Sequence, residues 1–216
     1  DIMKAIDGVD SVVHLAEIVG DPACSVDPKT TQQVNFLSTS VLAQVCKYLH
    51  IPRFVYASSC SVYGASEGKS LLNERSKLNP VSLYARMKIE SEKVLRNMMD
   101  DVFSPTILRF ATVFGLSDRM RFDLVVNILS AKAATDGKIT VFGGDQWRPL
   151  VHVEDVALAI VKTLESPLEK VRGEVFNVGS KENNHTINDI GVMVKDAFPE
   201  AELVIQEKDV DKRNYC

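Results

Sequence analysis

Arg53-Phe54-Val55-Tyr56-Ala57-Ser58-Ser59-Cys60-Ser61-Val62-Tyr63-Gly64 reads as a buried strand that stops in a cluster of small hydroxylated residues. Tyr84-Ala85-Arg86-Met87-Lys88 follows in a segment with helical patterning. Residues four apart on a helix share a face, so the phenol of Tyr84 and the amine of Lys88 stand together. Open α/β sheets bind ligands at the carboxyl ends of their strands, which is where Ser58 and Ser59 fall. A phenol, a cation able to lower its pKa and a hydroxyl able to hold an alcohol are the groups needed to take a proton while a hydride leaves carbon. The Tyr-x-x-x-Lys spacing carries little weight alone. Its force comes from the serine cluster upstream.

Outward from this stretch, strand and helix alternate. Strands are predicted at residues 11–16, 53–59, 106–114, 139–142, 149–152, 175–178 and 203–206. Helices are predicted at 29–49, 79–99, 122–134, 153–164 and 187–198, with Gly137 closing the third of them. A polar loop punctuated by Gly20, Pro22 and Pro28 is expected between the first strand and the first long helix. Such alternation predicts an α/β fold, a Rossmann-like doubly wound parallel sheet with a smaller α/β lobe. Residues 1–115 are expected to form a partial dinucleotide-binding domain. Residues 116–216 are expected to be mainly a substrate-binding lobe with elements returning to the first sheet. The start and end of the chain suggest a fragment cut at both ends.

With 45% hydrophobic and 25% charged residues the composition is that of a globular protein. A net charge of −4 offers no basic footprint for nucleic acid or an anionic membrane. No apolar run is long enough to span a bilayer. Cys24, Cys46, Cys60 and Cys216 fit neither a zinc nor a redox spacing, so no metal is expected and free thiols in a cytoplasmic setting are. His14 and His152 are expected to be structural hydrogen-bonding residues, Cys60 an unreactive thiol, and Glu90, Glu92 and Lys93 a solvated helix face.

Ser59, Tyr84 and Lys88, in SSCSVYG followed by YARMK, resemble the catalytic triad of the extended short-chain dehydrogenase/reductases. The similarity is greatest to the nucleotide-sugar epimerases of the UDP-galactose 4-epimerase type. Further matches follow in order. They are VVHLA at residues 12–16, Val34-Asn35, the segment 108–115 against LRxxNxxG, and the segment 147–156 against R-D/P-x-x-H-V-x-D-V. The resemblance implies bound NAD, with NADP as the variant. It places Leu15, Ala16, Glu17, Asn35, Ser58, Tyr84, Lys88 and Ala111 beside the cofactor. It places Ser59, Thr112, Asp123, Phe142, Arg148 and Arg213 against a nucleotide-diphosphate sugar. Tyr84 is then the base, Ser59 holds the sugar hydroxyl, Lys88 binds the nicotinamide ribose and lowers the Tyr84 pKa, and Asn35 kinks the long helix. Arg148 and Arg213 clamp the diphosphate. A homodimer through the two long helices is also implied.

Three departures matter. No G-x-x-G-x-x-G occurs, which fits loss of roughly two N-terminal βα units. Cys60 and Ser61 stand where the 4,6-dehydratases carry Asp-Glu, so dehydration is not expected. Thr112 replaces an asparagine that contacts substrate. The expected function is an NAD-dependent nucleotide-sugar epimerase acting at C4 through a 4-keto sugar. An NADPH-dependent 4-keto-sugar reductase needs the same relay, and a non-catalytic nucleotide-binding regulator would have no need of it.

Overall fold

The computed structural model describes residues 2–65 and 71–206. Four parallel strands form the main sheet: β1 (Ser11–His14), β2 (Arg53–Ser59), β3 (Ser104–Phe110) and β7 (Val175–Val178), in the order β1-β2-β3-β7. The register sets His14 beside Tyr56, and Ser58 beside Arg109. Alternation along β2 then puts Phe54, Tyr56 and Ser58 on one face.

That face is covered by α4 (Ser38–Tyr48) and α5 (Leu83–Met98). Leu42, Ala43, Cys46, Ile51, Phe54, Tyr56, Leu95, Phe103 and Ile107 form its apolar core. Phe54 and Phe103 meet with ring centroids 5.6 Å apart. α7 (Val153–Glu165) lies on the other face, where Val156 and Ile160 pack with Phe110 and Val178. Arg53 ties its end to β2 by donating to the carbonyls of Thr163 and Ser166. The expected parallel sheet with helices on both faces is present.

The segment predicted as one strand at 106–114 is two. β3 ends at Phe110, and β4 (Thr112–Phe114) pairs with β6 (Trp147–His152), which also pairs antiparallel with β8 (Asn184–Thr186). The break falls at Ala111, whose N–H is claimed by the Val178 carbonyl. β5 (Lys138–Phe142) and β9 (Glu202–Gln206) form a parallel pair. They pack with α6 (Val125–Asp136) and α9 (Ile187–Ala197) around Leu129, Ile139, Val141, Ile190 and Val194. Gly137 caps α6 in the left-handed conformation, as its position in the sequence predicts.

The segment expected as a polar loop after β1 contains a short helix, α2 (Asp21–Val26). The long helix at 29–49 is interrupted. α3 (Pro28–Gln32) runs into a π-helical turn (Gln33–Leu37) and then into α4. Asn35 sits in that turn, and its carbonyl accepts hydrogen bonds from the hydroxyls of Thr39 and Ser91. Side-chain donors that compete for a helix carbonyl open the regular ladder. Among the described residues no helix is long and apolar enough to cross a membrane.

His14 is buried, and its Nε2 lies 2.9 Å from the Thr39 hydroxyl. Burial, and then the charge of Lys88, hold its pKa down at about 4. The lowered pKa favours the neutral ring in the folded state. The stability it supports is complete above the ordinary value of 6.5 and is lost as the pH falls toward 4. Urea midpoints measured at pH 7 and pH 4.5 should therefore fall less in His14→Gln than in the native protein; equal falls would contradict this. Phe54→Ala, which empties the centre of the larger core, should cost about 3–5 kcal/mol in the same assay.

Candidate active site

The first residue to place is Ser59. It ends β2 and caps a 3-10 turn (Cys60–Tyr63), its Oγ accepting the Ser61 N–H at 3.1 Å. Gly64 closes the turn at φ +65°, where a Cβ would lie 1.6 Å from the Asn79 carbonyl oxygen, so the chain needs glycine there. With a lone pair engaged by Ser61, the Ser59 hydroxyl is left to donate its proton, and it lies close enough to the Tyr84 phenol to favour its ionised form. Ser82 caps α5 by accepting the Ala85 N–H, which sets Tyr84 in the first turn of the helix.

Lys88 lies one turn further on and is buried. Its ammonium donates to the Ala57 carbonyl and forms a 2.7 Å ion pair with Glu17 Oε2. The other carboxylate oxygen of Glu17 accepts from the Tyr56 hydroxyl at 2.7 Å. The ammonium is 4.9 Å from the Tyr56 ring centre and 5.5 Å from that of Tyr84. The Ala57 carbonyl takes one of the ammonium's three donors, and Glu17 lies against it as an ion pair.

The Tyr84 pKa does not follow the sequence-based expectation. Burial, followed by the negative charge of Glu17, pushes it well above the ordinary phenol value. The Ser59 hydroxyl and the charge of Arg121 work the other way. The Lys88 ammonium is itself paired with Glu17. Burial lowers the Lys88 pKa, and Glu17 opposes that shift.

A second buried network stands behind the first. Arg109 on β3 makes a two-pronged contact with Glu92, Nε to Oε1 at 3.0 Å and Nη2 to Oε2 at 2.6 Å. Nη1 of Arg109 donates to the Tyr63 hydroxyl, which donates to Asn177. Glu92 was expected on a solvated face and is instead buried. It lies four residues beyond Lys88, on the side of α5 that meets the sheet. Glu90 and Lys93 do form an exposed pair at 2.8 Å.

Other expected site residues are distributed as follows. Leu15 and Ala16 are exposed just beyond the end of β1. Ser58 differs from the expectation, because its hydroxyl is buried and donates to Glu92 rather than facing a ligand. Asn35 is buried with its amide clamping both backbone groups of Ile18, so it shapes the loop after β1. Ala111 is buried at a small cavity shared with Cys60, Tyr63, Pro149 and Asn177. Thr112 lies on β4, and Phe142 is half exposed at the end of β5. Arg148 is buried on β6 and donates to the Trp147 carbonyl. Arg213 lies outside the described residues. Burial pushes the Cys60 thiol up to about 12, which leaves it inert. His152 caps α7 by accepting the Glu154 N–H.

Asp123 is held by Arg121, Nη2 to Oδ2 at 2.5 Å. Arg121 was not singled out in the sequence, yet it reaches the neighbourhood of Tyr84 and of Gly20, where a Cβ would lie 3.1 Å from its Nη2. Nothing in the spacing of Arg121 signals this, since the contact depends on how the segment after β4 folds back. A broad groove between α7 and β7, lined by Asp155, Lys162, Phe176 and Asn183 among others, contains none of the triad. Ser59, Tyr84 and Lys88 cluster at the strand ends, away from that groove.

Comparison with known proteins agrees with this geometry. Residues 1–179 match the NAD dependent epimerase/dehydratase family. A UDP-glucose epimerase of Bacillus subtilis (strain 168), YtcB, described as uncharacterized, is 29% identical over 96% of this chain and 65% of its own length. A UDP-glucose 4-epimerase of Lactobacillus helveticus is 30% identical over 80% of this chain and 57% of its own. The chain thus spans about 57–65% of these curated relatives. The crystal structure of UDP-glucuronic acid 4-epimerase from Bacillus cereus, in complex with UDP-glucuronic acid and NAD, superposes with a TM-score of 0.85. It shares 28% identity, with 100% of this chain and 68% of that one covered. A parallel sheet carrying a serine, tyrosine and lysine at its edge, matched over residues 1–179, makes this chain a member of the NAD dependent epimerase/dehydratase family.

Proposed function

We propose that this chain carries the catalytic centre of an NAD-dependent nucleotide-sugar epimerase that acts at C4 of a UDP-hexose through a transient 4-keto sugar. One observation carries the reading: the fold brings Ser59, at the end of β2, to act on the Tyr84 phenol, with the Lys88 ammonium 5.5 Å from that ring. The names of the relatives, which act on UDP-glucose or bind UDP-glucuronic acid, support the substrate class.

The residues present fit a nicotinamide ribose. Lys88 has donors beyond the one given to Ala57, and the exposed Leu15 and Ala16 offer a surface beside it. When bound, NAD supplies the hydride acceptor. The protein's part is the movement of the proton. Ser59, fixed by the Ser61 N–H, holds the sugar hydroxyl against Tyr84. Tyr84 takes that proton and returns it from the same oxygen when the keto sugar is reduced on its other face. The raised phenol pKa means that Tyr84 is neutral in the protein alone. It becomes a base only with a further positive charge close to it, which a nicotinamidium provides.

Arg148 is assigned to the diphosphate, for which a planar guanidinium fork is suited. Residues 1–115 are assigned to a partial dinucleotide-binding domain and residues 116–216 mainly to a substrate lobe, with α7 and β7 returning to the first sheet. A homodimer through the two long helices, in the cytoplasm, is part of this reading; the exposed Leu37, Val41 and Tyr48 on the first of those helices support the dimer.

The test is chromatographic separation of UDP-hexose epimers after incubation with the full-length protein and NAD. Interconversion is expected without net consumption of dinucleotide. Tyr84→Phe should lower kcat by about 10²–10⁴-fold with the fold intact. A Tyr84→Phe variant as active as the native protein would contradict the assignment, and stoichiometric consumption of NADPH would replace the epimerase by a reductase.

A further inference from the structure

We propose that Glu17 is a positioning residue that keeps the Lys88 ammonium charged and fixed at the carboxyl end of β2. The inference draws its functional meaning from the proton relay proposed above, but its physical basis is independent of that relay. Lys88 and Glu17 have side chains only 5% and 3% exposed, and they meet at 2.7 Å. The other buried carboxylate on α5, Glu92, is committed to Arg109 and Ser58. Glu17 is therefore the one carboxylate in contact with the ammonium among the described residues.

The contact is held from several sides. From β2, the Tyr56 hydroxyl fixes the second oxygen of Glu17, so the carboxylate cannot turn away from Lys88. From the loop that carries Glu17, the Ile18 backbone is pinned by both ends of the Asn35 amide. The titratable and charged groups facing this pair are His14 on β1, Tyr56 on β2, Cys24 on α2, and Tyr84 and Glu92 on α5. Arg121 faces the same region from the segment after β4, through Tyr84.

An amine taken out of water loses affinity for its proton. A carboxylate at contact distance restores that affinity, and it does so here in a site where few other groups can. The same carboxylate has a second effect. Its negative charge opposes ionisation of Tyr84. Glu17 thus holds the cation, and its charge adds to the burial that keeps Tyr84 protonated. The ordinary view of the triad assigns the tuning of the phenol to the lysine alone; in this chain the lysine is itself tuned.

The test follows the ¹³Cε resonance of Lys88 against pH in the full-length protein labelled with [¹³C]lysine. Assignment comes from the signal lost in Lys88→Arg. In Glu17→Gln the titration midpoint should fall by more than about one pH unit, a tenfold loss of proton affinity. Glu17→Asp, which keeps the charge, should restore the midpoint to within about half a unit of the native value. An unchanged midpoint in Glu17→Gln would overturn the proposal. Should Glu17→Gln fail to fold, Tyr56→Phe is the second variant. It frees the carboxylate without removing it and should give a smaller fall of the same sign; no change there would overturn the proposal equally. The titration needs no substrate. A protein that interconverts no nucleotide sugar would sink the proposed function and leave this measurement readable.

Discussion

A charged amine buried beside a sheet is the constraint around which this site is built. Removing an ammonium from water costs several kcal/mol unless its donors are satisfied. Lys88 meets that cost through Glu17 and the Ala57 carbonyl. Each partner imposes a condition on the fold. Glu17 must lie just past the end of β1, which requires β1 to pair with β2 in the register that sets His14 against Tyr56. The Ala57 carbonyl must face α5, which places Ser59 two residues further at the strand end. Tyr84 must sit one turn before Lys88, which the Ser82 cap secures.

The polar network around Arg109 extends the same logic into the core. On the face of β2 toward α5, Phe54 gives way to Tyr56 and then Ser58, so apolar packing passes into hydrogen bonding toward the carboxyl end. α5 matches this order in reverse, with Leu95 deep in the core and Glu92 and Lys88 nearer the site. Buried charges in both places occur as pairs, as burial demands. Each of these ions is held by more than one partner, which suits a hydroxyl proposed to lose and regain a proton at one position.

Much of this was legible in the sequence. The residues of β2 and β7 were read with their observed limits, because a short apolar run bounded by polar residues has few other solutions. The triad was legible as a combination, since Ser59, Tyr84 and Lys88 each carry little alone. What escaped were contacts between residues far apart in the chain. Glu92 read as solvent-facing because its neighbours Glu90 and Lys93 are; its spacing of four from Lys88 was the signal that it turns inward. Glu17 was placed near the cofactor, but nothing local showed that it would capture Lys88, or that burial, with the Glu17 charge behind it, would reverse the expected shift of Tyr84. The division of 106–114 into two strands depends on an N–H of Ala111 claimed by β7, a partner 67 positions away at Val178. Pattern within a window cannot show such a contact.

The most direct measurement is a crystal structure of the full-length protein with a dinucleotide and a UDP-sugar bound. The account predicts one sugar hydroxyl within about 3 Å of both the Ser59 Oγ and the Tyr84 Oη, with the Lys88 ammonium still in contact with Glu17. A sugar seated in the groove between α7 and β7, with Tyr84 and Ser59 bonded only to each other, would contradict it.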